Sequence, residues 1–125
     1  MILTGIDIVE NKRIKRMMRR SPHTIDEIFS AKEIAYCNSK KYPEQSLSAR
    51  FAAKEAVIKA VDSEILAHKL SDIETINLSS GKPEMKIHCS RINEKIRQLL
   101  QKDQFNINLS LSHETNYSVA HVLIY

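Results

Sequence analysis

The spacing of apolar residues changes period several times along the chain, and each change marks an element. Residues 2–9 are rich in Ile, Leu, Thr and Val with little alternation, which predicts a buried strand. From about Asn11, Ile14, Met17 and Met18 form the apolar side of a helix whose other side is basic, and Ser21-Pro22 ends or breaks it. Phe29-Ser30-Ala31-Lys32-Glu33 has the spacing of a capping box, with Ser30 as N-cap, Glu33 as its return partner and Phe29 at the staple position. It starts a short helix through Ile34, Tyr36 and Cys37. Residues 38–42 are polar and read as a loop, after which Pro43 opens a long helix running to about Val61. Residues 62–71 show no clear period. Residues 73–78 and 84–88 alternate at period two around Ser79-Ser80-Gly81-Lys82-Pro83, which predicts a hairpin. Residues 90–102 read as a helix with Ile92, Ile96, Leu99 and Leu100 inward. Residues 105–112 and 117–124 alternate strongly and make a second hairpin across residues 113–116. This order predicts an α+β fold, a mostly antiparallel small sheet packed on a long central helix, with residues 1–125 as a single domain.

The long helix is unusual around its circumference. At roughly 100° per residue, Leu47, Phe51, Ile58 and Val61 share one side with Lys54 among them. Ala52, Ala53, Ala56 and Ala60 make a second, flat side suited to close packing. Glu55 and Lys59, one turn apart, share the seam. Most surface helices are apolar on one stripe only, so this helix is predicted to be central. Its charges then need a purpose, because burying unpaired charge is costly.

Composition adds two constraints. No apolar run approaches a membrane span, the opening residues reach Asp7 too soon for a signal peptide, and Cys37 and Cys89 lack metal-ligand spacing. These point to a cytoplasmic protein with two reduced thiols. The net charge of +4 is local: residues 11–20 hold six basic side chains and no acid, which leaves the rest of the chain at −2. Such a patch suits an acidic partner at one face.

Several groups are candidates for chemistry. Asp7 and Glu55 are acids in apolar surroundings. Brought together they would suit Mg²⁺ and a phosphate; taken alone, each reads first as a cap or an ion-pair partner. The basic stretch 12–20 could meet nucleic acid or be a solvated face. It lacks aromatic interleaving, and a protein partner would better explain exposed Met17 and Met18. His113 lies at a hairpin turn, as structural histidines also do.

Taken together, these segments resemble one family, the holo-[acyl-carrier-protein] synthases, small bacterial 4′-phosphopantetheinyl transferases. The resemblance runs through Gly5-Ile6-Asp7-Ile8 with Lys12-Arg13-Ile14, Phe29-Ser30 with Glu33, and Arg50 to Ala60. It continues in Gly81-Lys82-Pro83 and in Leu111-Ser112-His113 with Tyr117 and Ala120. It covers nearly the whole chain and implies transfer of 4′-phosphopantetheine from coenzyme A to a serine of apo acyl carrier protein, with release of adenosine 3′,5′-bisphosphate, in fatty acid biosynthesis. By that resemblance Asp7 and Glu55 hold Mg²⁺, Lys59 approaches the phosphates, and Glu55, or a water it orients, takes the serine proton. Arg50, Lys54 and His113 become coenzyme A contacts. Arg13, Arg16 and Arg20 dock the carrier's acidic helix. A homotrimer with active sites between subunits is implied, suiting the alanine-rich helix side and the apolar terminal strands. One departure stands out: the family's glycine-rich loop after the long helix is Asp62-Ser63-Glu64-Ile65-Leu66 here, where two acids would repel an anion. A non-catalytic protein that holds acidic carriers, or nucleic acid, through residues 12–20 is the alternative.

Overall fold

The computed structural model describes residues 1–61 and 70–125, so the glycine-free stretch 62–66 lies outside the described residues. In chain order the elements are strand β1 (Leu3–Glu10), helices α1 (Asn11–Arg20), α2 (Pro22–Ile28), α3 (Ala31–Asn38) and α4 (Pro43–Val61), and a 3-10 turn (Leu70–Asp72). Hairpin strands β2 (Ile73–Asn77) and β3 (Pro83–Ile87), helix α5 (Ser90–Leu100), and strands β4 (Ile107–His113) and β5 (Tyr117–Ile124) follow. The α+β architecture matches the expectation. Helix α2 is additional: Pro22 ends α1 but also serves as the first residue of the next helix. Its seven residues are too few to display a period.

Among the described residues two antiparallel sheets form. β5 lies between β1 and β4, and β2 pairs with β3 separately. The inner face of the larger sheet carries Leu3, Val9, Leu109, Ala120, Val122 and Ile124, all buried. α4 crosses this face, packing on β1 and β5, and Ala52, Ala53 and Ala56 are fully covered there. The flat alanine side therefore serves packing within the chain, which corrects the expectation that it suits a contact between subunits. Small side chains let backbone approach backbone, which the next section shows to be decisive.

The opposite side of α4 meets the rest of the core, where Leu47 and Val57 pack with Ile14, Phe29, Ile73, Ile92 and Ile96. The capping box forms: the Ser30 hydroxyl accepts from the Glu33 amide at 3.1 Å, and the Ser30 amide donates to the Glu33 carboxylate at 3.0 Å. Met17 and Met18 are half-buried against the core, so they are not the exposed pair expected of a partner groove. Burial of β1 differs too. Only its inner face is covered, and Ile6 and Ile8 are 60% and 62% exposed on the outer one. Cys37 and Cys89 are free and buried, and burial pushes the Cys37 thiol up to about 11, which keeps it inert.

Candidate active site

The site begins with a glycine. Gly5 of β1 passes directly over α4, where a Cβ would drive into the Ala56 carbonyl and come within 3.2 Å of the Ala60 nitrogen. Only glycine opposite a small-residue helix face permits this approach. Two residues along the strand, on the same face, comes Asp7. The crossing brings Asp7 beside Glu55 and Lys59, one helical turn apart on α4.

The electrostatics of this trio are unbalanced. Lys59 Nζ lies 2.8 Å from Asp7 Oδ1 and also donates to the Ile6 carbonyl at 3.1 Å. Glu55 accepts no comparable partner among the described contacts. Partial burial raises its carboxyl above the usual range, and the neighbouring Asp7 charge adds to that, while Arg13 and Lys59 pull the other way. The charge on Glu55 is thus disfavoured by burial and by Asp7, in a trio of two carboxylates and one amine. Among the described residues no cluster of three or more His, Cys, Asp or Glu side chains is placed to hold a metal. Two carboxylates nevertheless suit a hard cation that draws its other ligands from water and phosphate.

Lys54, next in sequence to Glu55, points elsewhere. Its amine is fully buried, 2.7 Å from Glu33 Oε1, and also donates to the carbonyls of Leu70 and Ile73. Burial lowers its pKa from the ordinary lysine value, opposed by the Glu33 carboxylate. Glu33 Oε2 accepts from the Thr75 amide. All three amine protons are thus committed within the core, and the expectation that Lys54 contacts coenzyme A is corrected: it ties α4 to α3, to β2 and to the turn before it.

Arg50 and His113 do share a surface. They line a cavity of about 450 Å³ with Lys40, Lys41, Tyr36, Tyr42 and Asn77. Arg50 stacks over Tyr36 at 4.5 Å and donates to the Ser46 carbonyl and to Asn77 Oδ1. Among the described residues its buried Nε has no hydrogen-bond partner, an orphan donor. His113 ends β4 rather than sitting in the turn. Lys40 and Lys41 were missed in the sequence, where they read only as polar loop; paired lysines ahead of a helix start were the available signal.

The basic residues of α1 divide. Arg16 and Arg20 line a depression of about 270 Å³ with Lys12, Lys15 and Arg19. Arg13 instead lies over the Phe51 ring at 5.2 Å and close enough to Glu55 to favour its ionised form. One helix therefore carries a cationic surface and also reaches the acid pair.

Known proteins share both the sequence and the fold of this chain. The family model of the 4′-phosphopantetheinyl transferase superfamily matches residues 4–121. The chain is 36% identical over 120 residues to the holo-[acyl-carrier-protein] synthase of Clostridium botulinum, covering 96% of this chain and 94% of that one. It is 37% identical over 124 residues to the Moorella thermoacetica enzyme of the same name, covering 99% and 94%. Among solved structures, the synthase of Bacillus anthracis in complex with coenzyme A (3′,5′-ADP) matches with a TM-score of 0.72 and 27% identity, covering 98% and 94%. The coenzyme A complex described as from Chronobacterium ammoniagenes has the same fold, with a TM-score of 0.80 at 22% identity, covering 99% and 96%.

Proposed function

We propose the reaction of a chain that belongs to the 4′-phosphopantetheinyl transferase superfamily: Mg²⁺-dependent transfer of 4′-phosphopantetheine from coenzyme A to a serine of apo acyl carrier protein. The chain is a phosphopantetheinyl transferase of the holo-[acyl-carrier-protein] synthase kind. No helix among the described residues is long and apolar enough to cross a membrane; action in the cytoplasm, by a single domain of residues 1–125, is part of the proposal.

The observation that carries the mechanism is the Gly5 crossing, which sets Asp7 beside Glu55 and Lys59. The serine oxygen attacks the β-phosphorus of coenzyme A. A new Ser O–P bond forms, and the bond to the departing adenosine 3′,5′-bisphosphate breaks. Asp7 and Glu55 are the residues that would hold Mg²⁺, and the disfavoured charge of Glu55 beside Asp7 is what a divalent cation would relieve. Bound there, Mg²⁺ supplies charge neutralisation for the pyrophosphate. Glu55, or a water it orients, takes the serine proton, and its raised pKa suits that task. Lys59, exposed beside Asp7, turns toward the phosphates.

The second cavity would take the adenosine phosphates. Arg50, Lys40 and Lys41 offer charge to a 3′-phosphate, His113 offers a ring nitrogen, and Tyr36 and Tyr42 offer rings to a base. Arg50 precedes Glu55 and Lys59 on α4 by steps that place them about 140° and about 180° around the helix. The ribose between the two phosphate groups is shorter than the roughly 10 Å thickness of a helix with its side chains. One coenzyme A would therefore join halves from two copies, which supports active sites between subunits of a homotrimer. The outer face of β1 and β5, with Ile6, Ile8 and Tyr117 exposed, offers an apolar contact for that assembly. The cationic surface of Lys12, Lys15, Arg16, Arg19 and Arg20 would dock the acidic helix of the carrier, with Arg13 at its inner edge.

Incubation with coenzyme A, Mg²⁺ and apo carrier should add about 340 Da to the carrier, the mass of the transferred group. Asp7→Ala and Glu55→Ala should each remove that gain while the far-UV spectrum stays unchanged. Absence of any gain with every apo carrier of the source cell rules the reaction out.

A further inference from the structure

The His113 side chain reaches the cavity from the end of β4, a position with little packing around it, and the structure shows what restrains it. His113 Nδ1 lies 3.1 Å from Gln45 Oε1. A carbonyl oxygen can only accept, so with the Gln45 amide in this orientation the contact calls for the proton on Nδ1. Gln45 sits in the first turn of α4 and is itself held. The Ser118 hydroxyl lies 3.2 Å from the Gln45 backbone carbonyl and donates to Asn11 Oδ1 at 2.7 Å. Asn11, almost fully buried, donates through its side-chain amide to the carbonyls of Glu114 and Thr115 at 2.7 and 3.1 Å, and its backbone amide donates to the Asn116 carbonyl at 2.8 Å. The start of α1, the start of α4 and the β4–β5 turn are thereby linked by side chains that bind no ligand themselves.

We propose that Gln45 is the positioning residue of His113: it fixes the Nδ1–H tautomer and leaves Nε2 as an acceptor for a hydroxyl or amino group of a nucleotide in the cavity. The inference rests on the reading of that cavity as the adenosine-phosphate site. Neutral imidazole in water favours the Nε2–H form, so the prediction runs against the default. Tethering an exposed ring lowers the entropy it loses when a ligand arrives, and the benefit falls on ground state and transition state alike.

The test is two-bond nitrogen–proton correlation NMR on the labelled full chain without coenzyme A, with the His113 signal assigned by its loss in His113→Gln. Neutral His113 should show the Nδ1–H pattern, Gln45→Leu should switch it to Nε2–H, and Gln45→Glu should keep it, since a carboxylate also accepts. Gln45→Leu should raise the coenzyme A KM about three- to ten-fold, the worth of one hydrogen bond, with kcat within about two-fold. An Nε2–H pattern in the unaltered chain overturns the proposal, as does a fall in kcat at unchanged KM in Gln45→Leu. An unchanged coenzyme A KM in His113→Ala would instead overturn the cavity reading, and the tautomer result would stand independently of it.

Discussion

Lys54 and Glu55 are neighbours on α4, yet their charges meet opposite surroundings. Lys54 is sealed in the core against Glu33 with every amine proton accepted. Glu55 stands half-covered beside another acid, its ionised form disfavoured by burial and by Asp7. The first arrangement is satisfied and therefore structural. The second sets two carboxylates side by side, with Lys59 held on Asp7, an arrangement that suits a divalent cation. A strip of sequence that reads as one charged motif thus splits by geometry into a strut and the proposed reactive site. Lys59 repeats the contrast at one remove: it pairs with Asp7 as Lys54 pairs with Glu33, but its side chain is 56% exposed where that of Lys54 is 0%.

Substitutions can break that contrast at either end. The largest effect belongs to Glu55→Gln, which should cut transfer by about 10²–10⁴-fold, read by mass gain of the carrier, while the chain stays folded. Lys54→Met should do the reverse. Leaving Glu33 buried without its partner costs about 3–5 kcal/mol, measured by urea unfolding, and the Glu33→Gln/Lys54→Met pair should recover part of that loss. Lys59→Met should change stability by less than about 1 kcal/mol, as partly exposed pairs do, yet slow transfer. If Lys59→Met destabilises as much as Lys54→Met, the division fails. Gly5→Ala should cost about 2–3 kcal/mol through overpacking against the Ala56 carbonyl and should lower activity with it.

The smallest effect is in the pH dependence of stability. The raised pKa of Glu55 means that the folded chain binds more protons there than the unfolded chain. Its contribution to stability is present below the unfolded carboxylate pKa and is lost as pH rises through the raised folded value. At neutral pH Glu55→Gln should therefore raise Tm, by about one to three degrees, and flatten the slope of stability in the acidic range. A Tm that falls in Glu55→Gln would contradict the picture of a Glu55 charge disfavoured by burial and by Asp7.

Much of this was legible in the sequence because the signals were local. The capping box at Ser30 and Glu33, the proline at the start of α4 and the alternation of β4 and β5 are each encoded within a few residues. Tertiary facts were not. The sequence shows Glu33 as a cap, and only folding brings its carboxylate to Lys54, 21 positions away. The flat alanine side announced a close neighbour without naming Gly5 as that neighbour. The apolar run of β1 read as buried, but within one chain its outer residues stay exposed. The Asn11, Ser118 and Gln45 linkage joins three parts of the chain through ordinary polar residues that no motif marks.

The Gly5 crossing also acts as a key for strand register. Side chains alternate across a strand, so a slip of β1 by one residue would turn Asp7 to the outer face. The same slip would bring Thr4 or Ile6 to the point where α4 admits no Cβ. A misregistered strand cannot seat, and so the fold rejects, while it forms, the pairing error that would remove an acid from its site.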